Sequence, residues 1–222
     1  PLETGAAALK AAYADALPKR PQPQPRLGEI QLKNTISRAA IDRFQVAVEA
    51  HGDKAAAAAL TAIEEVALTY KGERRWRIEG AEVTDPADFA RFGKSGLAVS
   101  MQPLAMAGSF KLAEVRLGPA RLAGAFAWKS LSASGARLAF GSGAASTPPE
   151  PFAAIAAATT RLGADGLPFG GWQPQERLTR EAALAAWTTG AAWAGFAEGR
   201  IGRIAVGQRA DFLLVDRDPM LA

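Results

Sequence analysis

The stretch FQVAVEAHGDKAAAAALTAIEEV, residues 44–66, joins two segments with different hydrophobic patterns. The first, FQVAVEA, is a short apolar run of the kind that forms a strand buried inside a sheet. The second is a long alanine-rich segment with a high helix propensity. Asp53 stands directly before the alanines, where we expect its carboxylate to cap the N–H groups of the first helical turn. The stretch therefore predicts a strand followed by a helix.

Strand and helix patterns alternate over most of the chain. Further strands are predicted at RWRIEGAEV, LAVSMQP and ARLAFGSG. Helices are predicted at TISRAAIDRF, DPADFARFGKSG, GPARLAGAFAWKSLSASG, PEPFAAIAAATTRL and TREAALAAWTTGAAWAGFAE. In the second of these, Asp85 stands at the N-cap position and Pro86 in the first turn. Such alternation indicates right-handed βαβ units and a parallel sheet, so the predicted fold class is α/β.

The two ends of the chain depart from this alternation. Residues 1–28 are predicted to form a short helical lead-in over 1–17 and then an extended, proline-rich loop, PKRPQPQPR. Residues 29–199 hold the α/β part. Residues 200–222 are predicted to form a β-hairpin, with two short strands on either side of the turn at VGQRAD.

Composition excludes several classes of protein. The chain has 26 Lys and Arg against 22 Asp and Glu, and these charges are spread along its length. The densest basic cluster, KGERRWR, is interrupted by Glu73 and is typical of a solvated loop, so we expect no nucleic-acid partner. Without cysteine there is no disulfide or thiolate chemistry. No apolar run approaches the roughly 20 residues of a membrane span, so we expect a soluble protein of the cytoplasm or periplasm.

A sheet of four parallel strands leaves two edges that need protection, and a lone hairpin is marginally stable in water. We therefore expect partner strands, supplied by residues before Pro1, by another chain or by self-association. The absence of an initiator methionine is consistent with a piece of a longer protein.

Several of these segments, in this order, resemble the metal-dependent amidohydrolases. The most specific is GQRADFLLVDRDP, and the others are the segments that begin at FQVAVEA, RWRIEGAEV, GLAVSMQP, LGPARLAG and LTREAALA. The resemblance is strongest to the long-chain branch related to N-substituted formamide deformylase. It implies a (β/α)8 barrel with a small β-sandwich built from both chain ends, of which this chain would supply barrel strands five to eight and the sandwich hairpin.

The resemblance also implies a chemistry, which is the hydrolysis of C–N bonds in small amide-type substrates. One or two divalent ions such as zinc activate a water molecule, and an aspartate after the last strand takes up its proton. Histidines after strands five and six complete the metal coordination.

The chain departs from the family pattern at each of these positions. Residues 49–53 read Glu-Ala-His-Gly-Asp where the family motif resembles His-Ala-Ile-Gly-Asp. Residues 78–81 read Ile-Glu-Gly-Ala against Ile-Glu-His-Ala, and residues 141–143 read Gly-Ser-Gly against Gly-Ser-Asp. The residues at the two ligand positions and at the catalytic aspartate position are therefore Glu49, Gly80 and Gly143. We expect no metal cofactor in this chain and slow or absent hydrolysis.

The remaining polar residues leave alternatives open. Glu49 could hold a cation weakly or pair with an arginine, and His51 could be a ligand or a packed loop histidine. Glu79 is expected to pair with Arg75 or Arg77. Ser142 has no base partner for a nucleophilic role. Residues that could line a pocket are Ser100, Gln102, Arg116, Arg121 and Ser142, and the tryptophans expected to pack in helices are Trp128, Trp187 and Trp193.

Three functional hypotheses follow. The first is an amidohydrolase-like hydrolase with a degenerate metal centre. The second is a non-catalytic subunit that completes the barrel of a partner chain carrying the remaining strands and ligands. The third is a chain from which the ligands were removed deliberately.

Overall fold

The strands form one parallel sheet in a computed structural model, which describes residues 1–15, 21–143 and 147–221. They are β1 (Ala47–Ala50), β2 (Arg77–Gly80), β3 (Ala98–Met101) and β4 (Arg137–Phe140). They lie side by side in chain order. In the register Ala47 is opposite Arg77, Arg77 is opposite Ala98, and Ala98 is opposite Arg137. The predicted α/β class and parallel sheet are confirmed.

Helices alternate with the strands along the chain, and one helix precedes the first strand. They are α1 (Glu29–Ile41), α2 (Asp53–Thr69), α3 (Phe89–Lys94), α4 (Pro103–Leu117), α5 (Trp128–Ala133), α6 (Pro151–Thr160), α7 (Arg180–Ala185) and α8 (Ala191–Ala194). The long helix α2 buries Ala56, Ala59, Leu60 and Ile63 in the core. Its small alanine side chains let neighbouring elements approach closely. No helix among the described residues is long and apolar enough to cross a membrane.

The helix predicted over GPARLAGAFAWKSLSASG is wrong in its extent. The structure has a 3₁₀ turn at Pro119–Gly124 and then α5, with a break between them. In the break, Phe126 has φ 48° and its N–H donates to the carbonyl of Glu82 at 2.8 Å. This tertiary hydrogen bond takes the place of a backbone hydrogen bond within a helix. The sequence analysis also missed α4, which begins directly after β3.

The segment predicted as TREAALAAWTTGAAWAGFAE is helical but not uniformly α. A π-turn at Ala186–Gly190 separates α7 from α8. A Cβ added at Gly190 would lie 2.3 Å from the carbonyl oxygen of Leu138 in β4, so only glycine permits this close approach of helix and strand.

The helix predicted over residues 1–17 is wrong. Residues 1–15 form turns and irregular structure, and residues 16–20 lie outside the described part of the chain. Within residues 1–15, several backbone groups form hydrogen bonds with side chains that are distant in sequence. Lys10 N–H donates to Asp53 Oδ1 at 2.8 Å, and Arg121 donates to the carbonyls of Ala11 and Ala12. Burial of Leu2 and Leu9 in the core further fixes the segment against the rest of the fold.

The hairpin predicted over residues 200–222 is not formed within the described residues 200–221, which contain no strand. One backbone hydrogen bond joins the N–H of Arg209 to the carbonyl of Arg200 at 2.8 Å. Large apolar side chains are exposed here, including Val206, Phe212 and Leu214. A two-stranded hairpin without a packing partner has too little buried surface to be stable, which accounts for the difference.

Candidate active site

The carboxyl ends of the four strands bring the candidate positions to one edge of the sheet. Glu49 is opposite Glu79, and Ala50 is opposite Gly80. Just beyond the strands, the N–H of Ala81 donates to the carbonyl of Ala50 at 3.1 Å. The N–H of Gly141 donates to the carbonyl of Met101 at 3.2 Å. This is the edge at which catalytic side chains lie in (β/α)8 proteins.

His51 is held between two carboxylates at this edge. Its Nε2 lies 2.9 Å from Glu49 Oε1, and its Nδ1 lies 3.0 Å from Glu82 Oε1. The second contact has the distance of an ion pair, but within the described residues Nδ1 lacks a partner with good hydrogen-bond geometry. The side chain of Glu82 is 9% exposed and that of Glu49 is 72% exposed. His51 is thus a packed histidine with both ring nitrogens facing carboxylates.

These contacts change the ionisation of both partners. Burial disfavours the charged imidazole, but the contacts with Glu82 and Glu49 outweigh it and raise the pKa of His51. The hydrogen bond from His51 lowers the pKa of Glu49. The contacts therefore favour the protonated form of the imidazole and the ionised form of Glu49. Within residues 1–15, 21–143 and 147–221, the ion-pair partner of Glu49 is His51 and not an arginine.

Glu82 was missed by the sequence analysis. It reaches His51 because the backbone turns sharply at the end of β2, where Gly80 has φ 91° and Ala81 has φ 44°. Its second oxygen, Oε2, accepts the N–H of Leu2 at 2.6 Å. An acidic residue two places after a glycine at a strand end is the only local signal for this role, and it does not identify the partners.

The ring of His51 also occupies the space beside Gly80. A Cβ added at Gly80 would lie 2.6 Å from His51 Nδ1 and 2.7 Å from Cε1. A side chain at position 80, where the family resemblance places a histidine ligand, is therefore incompatible with this position of His51.

The described residues at this edge do not fit a metal ion. Glu49 and Glu82 contact opposite nitrogens of one ring, so their oxygens do not converge on a common point. Gly80 and Gly143 offer no side-chain donor. Within residues 1–15, 21–143 and 147–221, no group of three or more His, Cys, Asp or Glu side chains could hold a metal.

Two of the remaining expectations concern acidic residues near the strand ends. Glu79 accepts a hydrogen bond from Arg77 Nε at 2.8 Å, which confirms the predicted ion pair. Asp53 is the first residue of α2 rather than its cap, which is Gly52. The predicted position is therefore off by one residue, but Asp53 Oδ1 does accept a first-turn N–H, that of Lys54, at 2.9 Å, and it also accepts the N–H of Lys10.

The arginines proposed to line a pocket bind the N-terminal segment. Arg116 Nη1 donates to the carbonyl of Leu2 at 2.5 Å. Arg121 donates to the carbonyl of Leu117 at 2.8 Å as well as to Ala11 and Ala12. Their role in lining a pocket stays a prediction.

The other pocket candidates lie near the strand ends. Ser100 is in β3, Gln102 directly precedes α4, and the carbonyl of Ser142 accepts the N–H of Thr147 at 3.2 Å. Residues 144–146, which follow Gly143, lie outside the described part of the chain. The pocket role of these three residues stays a prediction. Trp128 is fully buried and packs edge-on against Phe140 at 5.9 Å, as expected of a packing residue.

Known proteins resemble this chain over almost its whole length. It is 33% identical over 188 residues to YtcJ of Bacillus subtilis strain 168, which is named as an amidohydrolase, and 32% identical over 187 residues to LONG AFTER FAR-RED 3 of Arabidopsis thaliana. These alignments cover 85% and 83% of this chain but 35% and 32% of the relatives. The chain therefore spans about a third of the length of the curated relatives it matches.

Two solved structures superpose on the whole fold. An uncharacterized metal-dependent hydrolase from Pyrococcus furiosus matches with a TM-score of 0.84 and 30% identity over 99% of this chain and 43% of its own. Its counterpart from Pyrococcus horikoshii OT3 matches with a TM-score of 0.87 and 26% identity over 100% of this chain and 44% of its own. Because the family model described as "Amidohydrolase family" also matches residues 2–221, the chain belongs to the amidohydrolase family.

Proposed function

We propose that this chain is the strand-five-to-eight part of an amidohydrolase barrel whose metal centre is degenerate. Its family acts on C–N bonds, and the proposed substrate class is a small non-peptide amide of the kind that N-substituted formamide deformylase relatives hydrolyse. Hydrolysis by the chain as it stands would be slow or absent. The observation that carries this proposal is the position of His51, with Glu49 on one ring nitrogen, Glu82 on the other, and Gly80 beneath the ring.

The charge state of His51 supports the same conclusion. A metal ligand must be a neutral imidazole with a free lone pair. The carboxylates of Glu49 and Glu82 instead favour the protonated ring. A divalent ion would have to displace a carboxylate from a ring nitrogen before it could bind there.

We further propose that the remaining barrel strands, from the same gene or from a second chain, cover surfaces that are apolar here. Near the free edge of β1, Ile41 is 56% exposed and Phe44 is 66% exposed. The segment 204–215 exposes further large apolar side chains. Strands added at these places would bury them, and they would give the hairpin over 200–222 a sheet on which to form.

The proposal is tested by restoring the family ligands. The structure requires four changes, Glu49→His, His51→Ile, Gly80→His and Gly143→Asp, because a histidine at position 80 needs the space of the His51 ring. Aspartate tolerates the left-handed backbone at position 143, where φ is 67°. Three protein ligands are enough for a zinc site with an open position.

We expect the restored variant to bind about one zinc ion per chain and the unmodified chain to bind none at stoichiometric level. The control variant carries Glu49→His alone, which leaves positions 80 and 143 without donors. Turnover of an N-substituted formamide is measured with and without added zinc, on the longest chain that the gene encodes. Zinc-dependent turnover by the unmodified chain would contradict the proposal.

A further inference from the structure

A cavity lies at the amino edge of the sheet, opposite the candidate active site. Its volume is about 340 Å³, within the range of small-molecule sites. It is lined by residues that directly precede β2, β3 and β4, by the end of α2 and by Trp193 of α8. Trp76 and Leu97 are buried in the core and form an apolar part of its lining.

Three arginines line this cavity, and only one of them is neutralised by carboxylates. Arg75 pairs with Glu73 at 2.8 Å and with Glu198 at 2.7 Å. Among the described residues, no carboxylate lies within 4.0 Å of the guanidinium of Arg74 or Arg137. Glu198 also interacts with the charge of Arg137 at longer range, so three arginines face two carboxylates and the cavity keeps a net positive charge.

Arg74 has a buried donor that is not used. Its Nη1 donates to the carbonyl of Ala40 at 3.1 Å and its Nη2 to that of Lys71 at 3.4 Å. Its Nε is buried and lacks a hydrogen-bond partner within the described residues. A buried N–H without an acceptor is unfavourable, so the Arg74 side chain would gain from a shift that gives Nε an oxyanion in the cavity as its acceptor.

Arg137 is held by stacking rather than by an ion pair. Its guanidinium carbon lies 4.2 Å from the ring centroid of Trp193, and that of Arg75 lies 4.8 Å from the same ring. Stacking uses the face of a guanidinium and leaves its N–H groups, which lie in its plane, available for an oxyanion.

We propose that this cavity binds a small oxyanion, a carboxylate or a phosphate ester, attached to a flat apolar group. Arg74 and Arg137 bind the oxyanion, and the apolar group packs against the aromatic and aliphatic part of the lining. The site goes beyond the proposed function, because it lies at the opposite edge of the sheet and depends on none of the family ligand positions.

The test is a titration of the protein with phenyl phosphate, followed by the indole N–H signals of Trp76 and Trp193 in NMR spectra. We expect saturable shifts of these signals, weaker binding of inorganic phosphate, and no saturable shift with benzyl alcohol, which lacks the charge. Arg74→Gln and Arg137→Gln should each weaken phenyl phosphate binding about tenfold, since each removes one charge-assisted hydrogen bond.

Arg180→Gln is the matched control, because Arg180 is an exposed arginine at the start of α7, away from the cavity. It should leave binding unchanged. If Arg137→Gln fails to fold, Arg137→Lys keeps the charge without the planar fork and should still weaken binding. The proposal would be overturned by the absence of saturable shifts, by an affinity in the Arg74 and Arg137 variants that is unchanged from that of the unmodified protein, or by benzyl alcohol binding as tightly as phenyl phosphate.

Discussion

The imidazole of His51 fills the space that any side chain at Gly80 would need, since a Cβ at position 80 would lie 2.6 Å from His51 Nδ1. The two positions are therefore coupled. The effect of a substitution at position 80 on stability therefore depends on which residue stands at position 51.

This coupling predicts a non-additive pair of substitutions. Gly80→His alone should lower the free energy of unfolding by about 2–4 kcal/mol, because it combines a steric overlap with a backbone of φ 91°. Combined with His51→Ile, it should cost measurably less than the sum of the two single changes. Urea unfolding of the two single variants and the double variant measures the difference. Strict additivity would show that the ring of His51 does not occupy this space.

The ionisation of His51 and Glu49 predicts how stability depends on pH. The pKa of His51 is raised in the folded state, so its contribution is complete below the unfolded-state pKa and is lost as pH rises through the folded-state value. The pKa of Glu49 is lowered, so its contribution is present above the unfolded-state pKa and is lost as pH falls through the folded-state value. Urea unfolding at a series of pH values should show a loss of stability on the alkaline side that is smaller in His51→Gln. An identical alkaline profile in that variant would contradict the assignment.

Glu82→Gln tests whether Glu82 contributes more than Glu49 to the raised pKa of His51 and to the stability of the fold. Glu82 is buried and binds both His51 and the N–H of Leu2, so the change should lower the pKa of His51 and destabilise the fold by about 1–3 kcal/mol. Glu49→Gln is the matched control, and its effect on stability should be smaller because Glu49 is largely exposed. NMR titration of the imidazole and urea unfolding provide the two readouts. A larger loss of stability in Glu49→Gln than in Glu82→Gln would reverse this order.

The sequence was sufficient for features that depend on neighbouring residues. The strand and helix at 44–66 form as predicted because apolar runs, alanine content and turn residues act locally. Asp85 caps its helix as predicted, with Ala87 N–H donating to its Oδ1 at 3.0 Å.

Features that depend on distant residues were not predictable. Glu82 reaches His51 across 31 positions of sequence only because β1 and β2 are adjacent in the sheet. Residues 1–15 are alanine-rich and suggest a helix, but Asp53 and Arg121 bind their backbone in an irregular form. In both cases the deciding partner comes from another part of the fold.

Arg161 gives a further test of such long-range contacts. It is fully buried, donates to the carbonyls of Trp172 and Phe126, and its guanidinium carbon lies 4.3 Å from the ring centroid of Trp128. Burial lowers its pKa to about 9. Arg161→Met should destabilise the protein by about 3–5 kcal/mol, because it leaves two buried carbonyls without donors. Arg180→Met, at an exposed arginine, is the control and should change the free energy of unfolding by less than about 0.5 kcal/mol. An equally small effect of Arg161→Met would show that the contacts of Arg161 contribute little to stability.

The most direct test of the central claim is the zinc content of the unmodified protein. The chain is purified, incubated with a small excess of zinc at neutral pH, freed of unbound metal, and analysed for metal per chain. Because Glu49 and Glu82 engage His51 and because positions 80 and 143 are glycines, the account predicts far less than one zinc ion per chain. One tightly held zinc ion per chain, lost on His51→Gln, would contradict it.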